Sequence, residues 1–208
     1  MKKMLVFAGA TLVILSSLGL RQARQTQQRA NIPAFTADGR LVKPENYREW
    51  IWVSSGLGMS YNPPAQSAGS DPVFDNVFVT PEAYRSFLQT GTWPDKTILI
   101  LEQRSSVGNS SINQQGHFQG QLRGLEAEVK DGGKWTFFAF ENTETRPRYS
   151  PVSSANPLQP PASDSCHSCH SQNGAVDNTF VQFYPALLEV AQRRGTIKKS
   201  AESTPPKP

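Results

Sequence analysis

The chain has 208 residues, and its 21 Lys and Arg against 17 Asp and Glu give a formal net charge of only +4 at pH 7. The basic residues are spread along the sequence instead of being massed in one run, so no nucleic-acid partner is expected. Hydrophobic residues make up 37% of the chain and include 11 phenylalanines, which is enough to fill the core of one domain.

The N-terminus has the pattern of an export signal. Lys2 and Lys3 precede an uncharged apolar run over residues 4–20, as in a secretory signal peptide. Ser17 and Gly19 offer small residues at a cleavage site, but the run also reaches the ~17 residues that can span a bilayer. We therefore predict a signal peptide or an uncleaved N-terminal membrane anchor at residues 1–20.

Polar segments flank the hydrophobic part of the chain. Residues 21–32 are basic and rich in Gln and are predicted to form a flexible tether. Residues 196–208 are polar, with three prolines, and are predicted to form a disordered tail. A single domain is expected between them, over residues 33–195.

The domain is predicted to begin with a short helix and two strands. One face of the short helix is indicated by the spacing of Tyr47, Trp50 and Ile51, after which the chain could continue as a strand to Val53. Gly, Ser, Pro and Asn dominate residues 56–71, which predicts a loop. The second strand is expected over residues 73–79.

A well-marked helix follows this second strand. Thr80 is a suitable N-cap, Pro81 fits the first helical position, and Glu82 lies in the first turn, where it favours the helix dipole. Gly91 is expected to end the helix. The apolar stripe consists of Tyr84, Phe87 and Leu88.

The middle of the domain is predicted to be mostly strand. Residues 97–102 form an apolar run typical of a strand buried on both faces, and the polar residues 105–116 predict a loop. Residues 118–129 predict a long strand, residues 131–133 a hairpin turn, and residues 135–140 a further strand. Successive strands with short connections favour an antiparallel sheet.

The C-terminal part adds helices to this sheet. Proline-rich residues 146–165 predict a loop that leads to a short helix at the cysteine motif. Pro185 is expected to open a last helix over residues 186–194, with Gly195 after it. The predicted fold class is therefore α+β: an antiparallel β-sheet with a few flanking helices.

The sequence Cys166-His167-Ser168-Cys169-His170 contains both cysteines and two of the three histidines of the chain. This C-x-x-C-H spacing is typical of a c-type haem attachment site. Each sulfur can form a thioether to the porphyrin, and His170 can bind the iron axially as the proximal ligand. The haem would then lie near the C-terminal segment, with His167 as a filler position.

Other chemistry remains open for the two cysteines. Cys166 and Cys169 could form a disulfide in an oxidising compartment. A thioredoxin-like site is disfavoured because the motif follows a loop and not a strand. A zinc site needs about four ligands, and His117 is the only Cys or His outside the motif, although carboxylates could complete such a site.

Three further residues are candidates for a haem site. Glu126, on a strand beside glycines, could be a desolvated proton acceptor with a raised pKa; the alternative is a solvated strand glutamate. His117 could be a sixth iron ligand or a histidine at a strand edge. Met59 could ligate iron as in electron-transfer cytochromes, although it lies in a glycine-rich loop.

Taken in order, several motifs resemble the cytochrome P-460 family of monohaem c-type cytochromes, over roughly residues 33–194. Besides C-x-x-C-H, they are PENYREW at 44–50, VTPEAY at 79–84, TGTWPDKT at 90–97, GLEAEVKD at 124–131, WTFF at 135–138 and FVQFYP at 180–185.

The resemblance implies a periplasmic, mostly β, homodimeric protein with one haem c and a periplasmic redox partner. It also implies a five-coordinate iron, held by His170, whose other face is open to small nitrogen species. Named family members oxidise hydroxylamine, and nitric oxide binding is a related activity. The cytochromes c′-β are a sister group that binds nitric oxide or carbon monoxide.

One position departs from the family pattern. The type enzymes carry a lysine, directly before a glutamate, that is cross-linked to the porphyrin. Here that position is Leu101, before Glu102, and leucine cannot form the bond. Lys96 lies five residues earlier and is not expected to substitute. Leu101 is instead expected to form an apolar wall of the pocket on the open side of the iron, suited to a neutral diatomic gas.

The sequence therefore supports three functional hypotheses. The first is a haem oxidoreductase that acts on hydroxylamine or nitric oxide, and the second is a non-catalytic haem protein that binds such ligands. The third is a six-coordinate periplasmic electron-transfer cytochrome. Leu101 favours the second hypothesis, and whether the protein is an enzyme is left open.

Overall fold

The computed structural model describes residues 32–60, 72–111, 113–141 and 151–199 of the chain. The predicted signal peptide or anchor, nearly all of the tether and the end of the tail lie outside these residues. The described residues from Pro33 onward belong to one compact unit. Within the described ranges, no helix is both long enough and apolar enough to cross a membrane.

The main element is an antiparallel sheet of five strands in the order β2-β3-β4-β5-β6. Its strands are β2 (Ile51–Leu57), β3 (Val73–Val79), β4 (Ile98–Ser110), β5 (Asn113–Asp131) and β6 (Lys134–Ala139). A second, two-stranded sheet pairs β1 (Leu41–Val42) with β7 (Ser154–Ala155). Sequential strands are neighbours, as expected of strands joined by short connections.

In the described part of the chain, three α-helices accompany the sheets: α1 (Pro81–Thr90), α2 (Ala162–Asn173) and α3 (Pro185–Arg194). Short 3-10 turns cover Tyr47–Glu49 and Val181–Phe183. With antiparallel sheets and helices in one domain, the α+β prediction is confirmed.

The predicted ends of α1 are confirmed. The helix begins at Pro81 and ends at Gly91, which has a φ of 76°. Only glycine adopts such a left-handed conformation without steric cost. Thr80 occupies the N-cap position, but its side chain makes no capping hydrogen bond.

Three other element predictions were wrong. Residues 105–116 were predicted as a loop, but β4 continues to Ser110 and β5 starts at Asn113. Cross-strand pairs such as Ser106 with Gln119 and Gly108 with His117 hold this polar arm together, because backbone pairing needs no apolar side chains. The predicted loop 56–71 starts too early, since β2 includes Gly56 and Leu57, and the predicted short helix at Tyr47 is only a 3-10 turn.

The helix of the cysteine motif also starts earlier than predicted. It begins at Ala162, inside the predicted loop 146–165, of which residues 146–150 lie outside the described part. The Cys166 motif is therefore in the second turn of a helix and not at its start.

The two faces of the five-stranded sheet carry separate cores. On one face, Ile100, Leu125 and Phe138 pack with Tyr47 and other residues of the N-terminal segment. On the opposite face, the helices and the C-terminal segment cover a second cluster that includes Val79, Phe87, Leu99, Phe137, Val181 and Leu187. The cysteine motif lies against this second face, since Cys166 packs on that cluster.

Candidate haem site

Helix α2 places the three motif residues on one side of the helix. Cys166, Cys169 and His170 are spaced i, i+3 and i+4, and residues with these spacings are neighbours on a helix surface. All three are half-buried, whereas His167 between them is exposed. Burial raises the pKa of the Cys166 thiol.

The structure gives no support to the other chemistry considered for the cysteines. Cys166 and Cys169 are both free thiols. Among the described residues, no group of three or more His, Cys, Asp or Glu side chains could hold a metal ion.

The imidazole of His170 is held on several sides. The rings of Phe137 and Phe180 contact it edge-on, each with its centroid 4.7 Å from that of the imidazole. Its Nδ1 lies 3.0 Å from the carbonyl oxygen of Asn178. Burial lowers the pKa of His170, against the opposing effect of the Asn178 hydrogen bond. A neutral imidazole that donates from Nδ1 has its Nε2 lone pair free to bind iron.

Glu128 is a functional candidate that the sequence analysis missed. Its Oε2 lies 3.4 Å from His170 Nδ1 and has no hydrogen-bond partner. Burial raises the pKa of this carboxyl group to about 8. The alternation of Glu126 and Glu128 with apolar residues suggested a solvated strand face. The apolar run at residues 97–102 indicated the opposite, namely that this strand is buried on both faces. A strand that pairs with it is then also buried on both faces, including the face that carries Glu128.

Two cavities with common walls lie on this face of the sheet, and His170 lines the smaller of them. The smaller, about 110 Å³, has His170 in its wall together with Leu99, Leu101, Glu126, Glu128, Phe137 and Phe180. The larger, about 530 Å³, is bordered by Ser54, Gly56, Met59, Asp75 and Gln103. The two cavities share Val77, Leu101, Phe180 and Tyr184 as walls. The larger volume is within the range of pockets that bind cofactors.

Leu101 and Glu126 lie together in this region. They are direct cross-strand partners on β4 and β5, so their side chains project from the same face of the sheet. Glu126 is half-buried, and burial raises its pKa, with smaller contributions from the charges of Glu141 and Asp75. Asp75 in turn accepts a hydrogen bond of 3.0 Å from Gln103 Nε2.

The other two candidate ligands have different positions. His117 is exposed on the β4–β5 arm, where its Nδ1 lies 2.7 Å from Ser106 Oγ, and it lines neither cavity. Met59 does line the larger cavity, and its side chain lies directly over Gly56.

The residues present fit a haem group. Two free thiols and an imidazole lie on one helix surface, and the imidazole lines the smaller of two cavities whose walls are mainly apolar or aromatic. Such walls are typical of cofactor pockets. Cys166, Cys169 and His170 would hold the group, and Leu101, Glu126 and Phe180 would lie beside it.

An imidazole flanked by two thiols is a donor set that can hold haem. The family model for cytochrome P460 matches residues 44–181, more than half of the chain, and the chain belongs to the cytochrome P460 family. This family consists of haem proteins that act on nitrogen species such as hydroxylamine, so haem and iron are the implied cofactors. A comparison with curated proteins finds no match to the chain.

Proposed function

We propose that the protein is an exported monohaem c-type cytochrome that binds a small nitrogen ligand, in the first place nitric oxide, at an open iron site without a lysine–haem cross-link. His170 is the axial ligand, and the cavity beside Leu101 receives the ligand. The family match supports haem and nitrogen chemistry.

Covalent attachment follows from the two free thiols. Each thiol adds across one vinyl double bond of the porphyrin, with the sulfur bonded to one vinyl carbon and the hydrogen to the other. No oxidant or reductant is consumed in this addition. Cys166 and Cys169 are half-buried and adjacent to His170, so one short helical segment supplies both thioethers and the axial nitrogen.

The single observation that carries the proposal is the position of Leu101. This side chain lies in the wall of both cavities, at the sequence position where the type enzymes have their cross-linked lysine. A leucine has no nucleophilic nitrogen, and its apolar surface disfavours water and charged ligands. An apolar wall suits a neutral diatomic molecule better than it suits hydroxylamine, which must form hydrogen bonds.

Oxidation of hydroxylamine is the second candidate, and Glu126 favours it. A substrate that loses protons on oxidation needs an acceptor, and a carboxylate of raised pKa within the pocket is suited to that task. Glu126 lines the smaller cavity together with His170 and is therefore the candidate catalytic residue. The haem supplies the iron centre that takes up the electrons, and a periplasmic redox partner would receive them.

A six-coordinate electron carrier is the third candidate, and Met59 is the residue that favours it. Its thioether lines the larger cavity, and methionine is a known axial ligand of c-type haem. The side chain is nevertheless 44% exposed, which does not resemble a buried axial ligand.

Visible spectra of the reduced protein, with and without carbon monoxide, separate these functions. The proposal predicts a large spectral change with carbon monoxide in the wild type and the same change in Met59→Leu. If only Met59→Leu responds, the iron is six-coordinate and the protein is an electron carrier. Turnover of hydroxylamine with an artificial electron acceptor, lost in Glu126→Gln, would instead assign the oxidoreductase.

Export, assembly and location belong to the same proposal. The intact mass of the protein from a host that matures c-type cytochromes gives both the haem count and the removal of residues 1–20. A retained N-terminus with membrane association would assign the anchor instead of a cleaved signal. Sedimentation of the purified protein tests the homodimer that the family resemblance implies.

A further inference from the structure

A tight turn follows helix α2 and lies against His170. Val176 and Thr179 form an isolated antiparallel bridge, in which Thr179 N donates to Val176 O at 2.8 Å. Between them, Asp177 and Asn178 have positive φ values of 55° and 60°. This is the backbone of a two-residue type I′ turn, which Asp and Asn tolerate better than most side chains.

Side chains from distant parts of the sequence hold this turn in place. Lys130 Nζ, from β5, donates to Asp177 Oδ2 at 2.5 Å and to Trp93 O at 2.8 Å. Trp135 Nε1, from β6, donates to Asp177 O at 2.7 Å. Trp93 Nε1 donates to Thr179 Oγ1 at 2.8 Å. Lys198 Nζ, which is half-buried, also donates to Asn178 Oδ1 at 2.5 Å. Lys130, Trp93 and Trp135 therefore hold Asp177 and Thr179 from other parts of the chain.

The donors that hold Asp177 and Thr179 are buried. Lys130 is 8% exposed, Trp93 2% and Trp135 6%, and Thr179 is fully buried. Hydrogen bonds shielded from water are stronger electrostatically, and an unpaired buried donor is costly. A buried lysine is stable only when its amine has hydrogen-bond acceptors. The burial of Lys130 and the conformation of the turn therefore depend on each other. Lys130, Trp93 and Thr179 line neither cavity described above, whereas Trp135 lines a third cavity together with His170 and Asn178.

The consequence of this arrangement is the position of one carbonyl group. Asn178 O lies 3.0 Å from His170 Nδ1, and a carbonyl oxygen can only accept a hydrogen bond. It therefore selects the imidazole tautomer that carries its hydrogen on Nδ1 and leaves Nε2 free. The neighbouring carboxyl group of Glu128, at 3.4 Å, imposes no such choice, because a carboxyl group can accept or donate.

We propose that Lys130, Trp93 and Trp135 are positioning residues of the haem site. By fixing the turn, they keep the Asn178 carbonyl on His170 Nδ1 and so set the strength of the iron–histidine bond. Hydrogen bonds to the outer nitrogen of a ligating histidine orient the ring and raise its basicity. The inference rests on the proposed function in one respect, because it takes His170 as the iron ligand.

The test compares haem-loaded variants that remove single donors. Trp135→Phe removes one N–H and keeps an aromatic ring, and Lys130→Met removes the amine. The matched control is Lys96→Met, because Lys96 is an exposed lysine that pairs with Asp131 and does not contact the turn. Asp177→Asn keeps an acceptor for Lys130, whereas Asp177→Ala does not.

Two measurements are made on the haem-loaded proteins: the iron–histidine stretching band of the reduced form by resonance Raman, and the midpoint potential. We expect a lower band frequency and a higher potential in Trp135→Phe, Lys130→Met and Asp177→Ala. Lys96→Met and Asp177→Asn should stay close to the wild type. If Lys130→Met fails to fold, the Trp135 and Asp177 variants carry the same comparison.

The outcomes distinguish the inference from the function on which it rests. Equal bands and potentials in all folded variants would overturn the positioning role while leaving the haem site intact. A wild type without an iron–histidine band would show that the iron is not five-coordinate and would overturn the proposed function. In that case the midpoint potentials still decide on the positioning role, because the proximal hydrogen bond affects the potential in either coordination state.

Discussion

Substitution of Glu102 gives the most direct test of how the sheet is held together beneath the site. Its side chain projects to the face opposite Leu101 and is only 3% exposed. Tyr47 OH donates to its Oε2, as do Arg48 Nε at 2.8 Å and Nη2 at 2.6 Å. Arg104 Nε donates to its Oε1 at 2.6 Å. The carboxylate thus satisfies a buried hydroxyl group and two guanidinium groups.

We expect Glu102→Gln to lower the free energy of unfolding by about 3 kcal/mol. The charge-assisted hydrogen bonds are lost, and breaking a buried pair typically costs about 3–5 kcal/mol. Arg48 reduces this cost because 56% of its side chain is exposed and can be solvated. For a domain of this size, about 3 kcal/mol corresponds to a fall in Tm of roughly 6–12 °C.

The pH dependence of the same variant has a defined sign. Burial alone would raise the pKa of Glu102, but hydrogen bonds from Arg104, Tyr47 and Arg48 lower it below the ordinary value of 4.5. A carboxyl group with a depressed folded pKa stabilises the fold above its unfolded pKa, and this contribution is lost as the pH falls through the folded pKa. The difference between wild type and Glu102→Gln should therefore shrink below about pH 4.5.

Urea unfolding followed by far-UV circular dichroism measures both effects. Glu45→Gln is the matched control, because the Lys43–Glu45 pair leaves the carboxylate side chain 76% exposed and should contribute less than about 1 kcal/mol. Equal unfolding midpoints for the two variants at neutral pH, or a difference that does not shrink in acid, would refute this reasoning.

Three further substitutions test the site itself. Leu101→Lys places an amine in the cavity wall and is expected to shift the Soret band of the mature protein through a cross-link to the macrocycle. Leu101→Met should leave the band unchanged. An unshifted band in the lysine variant would show that Leu101 is not at the family's lysine position. Gly174→Ala puts a Cβ 2.5 Å from Asn178 C and 2.7 Å from His170 O, and this clash should cost about 1–3 kcal/mol in urea unfolding; a wild-type midpoint would contradict it. His117→Ala should leave the spectra of both iron oxidation states unchanged, because His117 lines neither cavity, and a spectral change would restore it as an iron ligand.

Local signals in the sequence were sufficient for much of the fold. Pro81 and Gly91 were enough to predict the two ends of α1, because the backbone constraints of these residues act within one turn of helix. The buried strand at residues 97–102 and the hairpin turn before β6 were predicted for similar reasons. The polar arm of β4 and β5 was missed, because its pairing depends on backbone hydrogen bonds that leave no hydrophobic pattern.

The site could be predicted only where its functional residues are close together in the sequence. Cys166, Cys169 and His170 lie within one pentapeptide, so their spacing was informative by itself. Glu128 and Lys130 reach the site from a strand about 40 residues away in sequence, and the sequence pattern identified neither of them as a site residue. Their burial depends on what covers the sheet, which is a tertiary property.

Covalent haem attachment is the central claim and can be tested with one measurement. The exported protein is extracted with acid–acetone, and the intact mass of the remaining polypeptide is then determined. The account predicts one haem retained by the wild type, and none retained by a variant in which Cys166 and Cys169 are both replaced by serine. Colour that is extracted completely from the wild type, or a wild type that never acquires haem, would contradict it.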